Sequence, residues 1–167
     1  MTAQPVEEHA SAPELWGAFN VFAFVPSVPG PALRVLLFLM GVQEGGGRIV
    51  ITQKAIAEAL GLQRSAVGLA LQHLQFARMV TKVQSGVYML HPQIAGFSTP
   101  AEADDAVRQL NPDDYLDVDD FEERYQSAIA AHQEEVRKKA EVRQAPPKPP
   151  TDLADHRRRR RRAPVAR

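Results

Sequence analysis

Three kinds of hydrophobic spacing run along the chain, and each predicts a different element. Trp16, Phe19, Val21, Phe22, Phe24 and Val25 crowd one short segment whose two faces are equally apolar. It reads as a short strand packed on the core, with burial against a partner subunit as the alternative. Pro26 to Pro31 breaks regular structure, but Pro31 suits a first helical position, where its missing N–H has no bond to lose. Leu33, Leu36, Leu37 and Met40 then recur at helical spacing, with Val35, Phe38 and Leu39 on other faces. That pattern predicts a largely buried helix, ended by Gly41 and the triplet at 45–47. The β-branched run from Arg48 to Ile51 reads as a strand.

Thr52 is a suitable N-cap for a helix of about two turns, with Ile56, Ala57 and Leu60 inward and Gly61 as its stop. A second helix begins at Gln63 or Arg64. Its Val67, Ala70, Leu71 and Leu74 face inward, leaving Arg64, Ser65, Gly68, Leu69 and Gln72 outward. Ala57, Gly61 and Val67 fill the three places a helix-turn-helix requires: a small residue at the crossing, one that tolerates positive φ in the turn, and a branched apolar lock. After Phe76 the period falls to two. Val80, Lys82 and Gln84 alternate with Thr81, Val83 and Ser85, Gly86 turns the chain into Val87 to Leu90, and Pro92 stops the hairpin. The fold class is therefore mainly α with a small β-hairpin wing (α+β): a winged helix-turn-helix domain plus a C-terminal helix and a disordered basic tail.

The predicted organisation is a flexible N-terminus at 1–14, the winged domain at 15–96, an acidic linker with helical pieces at 97–119, an amphipathic helix at 120–143 and a Pro/Arg-rich tail at 144–167. The helix carries a stripe of Phe121, Tyr125, Ile129, His132, Val136 and Ala140. His132 and Ala140 make a poor coiled-coil seam, so a docked or solvated helix is preferred and a homodimer stays open.

Zero net charge conceals a strong order of charges. Residues 46–95 hold Arg48, Lys54, Arg64, Arg78 and Lys82 against Glu58, a net +4. Glu102 to Glu123 holds ten acids against Arg108 alone, and the tail ends in Arg157, Arg158, Arg159, Arg160, Arg161 and Arg162. Those arginines suit nonspecific contact with DNA phosphates or, equally, folding back on the acidic segment. The chain has no cysteine and its five histidines are scattered, so no metal, cofactor or small-molecule ligand is expected. No GxxxxGK[ST] loop, HExxH or GxSxG element is present, which argues against an enzyme. The longest apolar run, Val35 to Met40, is far below the ~20 residues of a bilayer span. Glu7, Glu8 and His9 stand where a secretory signal needs positive charge, so a cytoplasmic, nucleoid- or plasmid-associated bacterial protein is expected, without a membrane partner.

In this geometry the partner is double-stranded DNA. Gln63, Arg64, Ser65, Gly68, Leu69 and Gln72 are candidates for base edges: Arg64 for a guanine, Gln72 for an adenine, Leu69 for a thymine methyl. Thr52 and Lys54, with Lys82, Gln84 and Ser85 of the wing, are candidates for phosphates.

Thr52-Gln53-Lys54-Ala55-Ile56-Ala57 through Val67, then Val80-Thr81-Lys82-Val83 and Gly86-Val87-Tyr88-Met89-Leu90-His91-Pro92, resembles the winged-helix domain of plasmid replication initiators of the RepL type. The resemblance covers about residues 15–96, with Trp16 to Phe24 as the aromatic strand before the first helix. The chain departs from that family in His91, where asparagine is usual, and in Gly68-Leu69 within a usually more polar recognition helix. The domain is also similar to the DNA-reading half of MarR-type repressors, without their long dimerisation helices. The resemblance implies sequence-specific DNA binding in plasmid replication initiation. The alternatives are a MarR-like transcriptional repressor and a winged-helix module for protein contacts.

Overall fold

Pro29 in an extended conformation and Pro31 in the first turn start α1 (Gly30–Gly41), which buries Ala32, Val35, Leu36 and Leu39. A computed structural model describes residues 15–17 and 27–144. The expected aromatic strand therefore lies largely outside the described residues, and the arginine tail wholly so. After α1 come β1 (Arg48–Val50), α2 (Gln53–Leu60), α3 (Arg64–Phe76), β2 (Val80–Gln84), β3 (Val87–Leu90), α4 (Pro100–Arg108), a single 3₁₀ turn (Pro112–Asp114) and α5 (Phe121–Gln144). The strands form an antiparallel sheet in the order β1-β3-β2. This is the mainly α fold with a β wing that the sequence periods predict. No helix among the described residues is long and apolar enough to cross a membrane.

The core lies between the three helices and one face of the sheet. Ile49, Tyr88, Leu90 and Val80 share that face by register and are buried with Leu36 and Leu39 of α1, Ile56 of α2 and Val67, Leu71 and Leu74 of α3. The other face carries Arg48, Val50 and Thr81, which are exposed. The turn into β1 depends on Gly47. Its φ is +79°, and a Cβ there would stand 2.7 Å from the Ala95 Cβ, while its carbonyl accepts from the Leu90 N–H at 2.9 Å.

Two compact units emerge, Met1–Ala130 and Ala131–Arg167. Residues 97–119, expected as an acidic linker with helical pieces, carry α4 and the 3₁₀ turn and dock closely. Trp16 and Phe97 exchange backbone hydrogen bonds of 2.8 and 2.7 Å. Thr99 caps α4 by accepting from the Glu102 N–H, and Glu102 in return accepts from the Ser98 N–H. Leu116, Phe121 and Tyr125 are buried, so a few well-placed apolar groups seat an otherwise polar segment.

Polar bonds hold the same segment in register. Gln93, only 5% exposed, donates through its side-chain amide to the Asp117 carboxylate at 2.7 Å and accepts from the Leu116 N–H at 2.7 Å. Arg78, in the left-handed region at φ 54°, donates to the Asp113 carbonyl and pairs with Asp114. His91 donates from Nε2 to the Asp114 carbonyl at 2.9 Å and accepts the Gln93 N–H on Nδ1, an arrangement that requires the neutral ring. The Tyr125 hydroxyl meets His73 Nδ1 of α3 at 2.8 Å. The described part of the second unit, residues 131–144 of α5, is laced by i,i+4 pairs such as Glu135 with Lys139 and Glu134 with Lys138.

Two outcomes follow from this packing. Gly47→Ala combines a left-handed backbone with a clash, and should cost ~2–4 kcal/mol in urea unfolding. Burial lowers the His91 pKa, against the opposing pull of the Asp114 carbonyl. The unfolded ring, near 6.5, takes a proton first, so stability is complete above about pH 6.5 and declines as pH falls through that value toward the folded pKa. The melting temperature should accordingly rise from about pH 5 to about pH 7. His91→Gln should remove part of that slope, and an unchanged slope would show that His91 does not carry it.

Candidate nucleic-acid interface

The angle between α2 and α3 is set by local chemistry. Thr52 caps α2 by accepting the Ala55 N–H at 3.2 Å. Gly61 ends it in the left-handed region, donating to Glu58 O while Leu62 N–H bonds back to Ala57 O at 2.9 Å. This is the paired closure that left-handed glycine makes available at a helix end. Arg34 of α1 donates to the Leu60 carbonyl at 3.1 Å and so ties α1 to the C-terminal turn of α2. Gln63 stands at the N-cap of α3 without a side-chain capping bond. Burial of Val67, Ala70, Leu71 and Leu74 then fixes which face of α3 looks outward.

On that outward face Gln63, Arg64 and Ser65 are exposed and Leu69 is 60% exposed, while Gly68 and Gln72 are half-buried. The six candidates for base contact thus divide into a fully presented group and two that lie lower on the helix. Thr52 spends an oxygen lone pair on its cap and keeps its O–H to donate. Lys54 stands 3.7 Å from Glu58, both well exposed, a pair of small energetic weight.

The wing departs from its expected alternation. The β2–β3 register shifts between Lys82 and Gln84, leaving Val83 as the extra residue and 60% exposed. Lys82 stands opposite Tyr88, on the sheet face toward the helices, whereas Gln84 stands opposite Val87 on the outer face with Val50. Strict alternation places Lys82 and Gln84 together; the bulge separates them. Lys82 therefore shares its side of the sheet with α3, and Gln84 and Ser85, both exposed, belong to the outer side and tip of the wing.

Charge is sorted along α3. Arg48 pairs with Glu44 at 2.8 Å, Lys54 with Glu58 and Arg78 with Asp114. The two remaining cations of residues 46–95, Arg64 and Lys82, have no carboxylate partner among the described residues. Asp113 and Asp114 are held just past the C-terminal end of α3, around Arg78 and His91. At 1.5 Å per residue the N-terminal turn of α3, where Arg64 stands, is roughly 18 Å from that end. The positive end of the helix dipole points the same way.

Sequence reasoning missed two residues here. Gln53 places Oε1 3.9 Å from where a Gly68 Cβ would be, so the first residue of α2 leans over the middle of α3. A polar residue beside the cap was its only signal. Gln93 was also missed; a lone glutamine among Pro92, Ile94 and Ala95 was the visible mark of a buried, paired amide.

The family model of the Firmicute plasmid replication protein (RepL) matches residues 21–112, more than half of the chain. No curated protein and no solved structure matches it. The matched span contains the helix-turn-helix, the three-stranded sheet and α4, and stops before α5. On that span the chain belongs to the Firmicute plasmid replication protein (RepL) family.

Proposed function

We propose that the domain is the DNA-reading head of a plasmid replication initiator, with the N-terminal half of α3 in the major groove and the wing along the flanking backbone. The observation that carries this reading is the sorting of charge: of the five cations within residues 46–95, Arg64 and Lys82 are the two without a carboxylate partner among the described residues, and they stand on the first turn of α3 and on the helix-facing side of β2. Arg64 presents a fork that fits guanine O6 and N7. Lys82, Lys54 and the Thr52 hydroxyl supply phosphate contacts that set the register on the duplex. Family membership supports replication as the setting, and the partner is then double-stranded DNA at an origin. The protein acts in this reading by binding rather than by catalysis. Of its acids from 102 to 123, Asp104, Asp105, Asp114, Asp117 and Asp120 are spent on Arg108, Arg78, Gln93 and Arg124 rather than gathered round one reacting position.

Selection from a random duplex pool, followed by anisotropy titrations of the enriched site, tests this. Arg64→Ala should weaken binding by ~1–3 kcal/mol and relax specificity at one base pair. Lys82→Ala should weaken binding evenly across sequences and lower the slope of log K against log salt by about 1. No retention of any duplex at low salt would turn attention to a protein partner.

A further inference from the structure

We propose that Leu69 reads the 5-methyl group of a thymine, so that the head selects one base pair by an apolar contact. The inference rests on the DNA-reading role proposed above. Leu69 is a large apolar side chain 60% exposed in the middle of the outward face of α3. Ser65 lies four residues before it and Gln72 three after, so the three share one stripe.

Its neighbour supplies the second observation. Gly68 sits in a helix interior, where glycine costs up to ~1 kcal/mol relative to alanine. Nothing inside the fold asks for it. Its φ is not positive, and a Cβ would meet only the Gln53 Oε1 at 3.9 Å, an ordinary contact. What glycine does provide is outward clearance. Without a Cβ at 68, the helix can approach a surface closely enough for Leu69 to reach the roughly 4 Å of van der Waals contact.

In the major groove the one strongly apolar feature is the thymine methyl; the other bases offer donors and acceptors that leucine would desolvate without replacing. Charge favours a nucleic acid as the occupant of this face, since Arg64, without a carboxylate partner among the described residues, is on it and Lys82 is on the same side of the sheet. Position limits which thymine is read. Five residues separate Leu69 from Arg64, about 7.5 Å along the axis. At ~3.4 Å per base pair, the thymine should fall within about two or three base pairs of the one Arg64 contacts.

The test uses the full chain and the duplex enriched from the random pool. Each thymine is replaced in turn by deoxyuridine, which removes only the methyl. The natural protein should lose about fourfold in affinity at one position. Leu69→Ala should bind the thymine and uracil duplexes equally, which separates the contact from any change in DNA shape. Gly68→Ala should unfold at the same or a higher temperature yet lose the discrimination. Sequence-selective binding indifferent to every deoxyuridine would overturn the Leu69 inference and leave the reading head intact. A Leu69→Ala protein that still discriminates, or a Gly68→Ala protein that behaves as the natural one, would also overturn it. Failure to bind any duplex would overturn the DNA-reading role and this inference with it.

Discussion

Burial of a single stripe of α3 is the constraint from which the rest of the candidate interface follows. Val67, Ala70, Leu71 and Leu74 meet Leu36 and Leu39 of α1 and the inner face of the sheet. Each large side chain in that contact is worth roughly 1.5–3 kcal/mol. Turning the helix by one residue would expose part of the stripe and bury Arg64 or Ser65, so the outward face is set by what the core takes in. The Gly61 closure and the Arg34 tie to Leu60 then place α2 against it, and with α2 the Thr52 and Lys54 side chains.

The same economy governs charge. A neutral chain can present a positive candidate face only if acids are kept away from it, and Asp113 and Asp114 are kept by geometry. Asp114 is engaged by Arg78 and, through its carbonyl, by His91; Asp117 is engaged by Gln93 and Asp120 by Arg124. The exposed Arg78–Asp114 pair contributes little stability alone. The importance of these contacts is positional: the Arg78 and His91 bonds hold Asp113 and Asp114 past the C-terminal end of α3, at the far end from Arg64 and the positive end of the helix dipole. The buried Gln93 amide gives that anchoring its register, since both of its polar atoms are satisfied by the incoming segment.

Elements specified by neighbouring residues were legible in the sequence; those specified across the fold were not. The order of helices and strands from α1 to β3 follows from period, caps and glycine stops, which are local. The bulge at Val83 was hidden because a run of alternating polar and apolar residues looks the same with or without an inserted residue. Whether Gln84 shares a face with Lys82 depends on β3. Gln93 was unreadable for a related reason, its partners lying 23 and 24 residues away. The acid-rich segment reads as a linker because average apolar content is low, yet Leu116, Phe121 and Tyr125 are enough to seat it. Of the candidate interface, the outward set on α3 was legible from its period, while the lower position of Gly68 and Gln72 and the part played by Gln53 needed the packing.

In the proposed DNA-reading role, glycine and leucine at the centre of α3 have consequences for how much one head can discriminate. A good bidentate contact is worth ~1–3 kcal/mol against a wrong base, and a methyl contact about 0.8. One arginine and one leucine together reach a few kcal/mol, below the ~4–10 kcal/mol that separates specific from nonspecific binding in well-discriminating proteins. The shortfall has to be met outside this helix, by the wing, by DNA shape or by engaging more than one site. Contributions from separate sites add as free energies, so discrimination ratios multiply, and a head of modest selectivity becomes adequate when several copies read a repeated sequence. On this argument the apolar centre of α3 is compatible with a specific initiator provided that its target is longer than one head can cover.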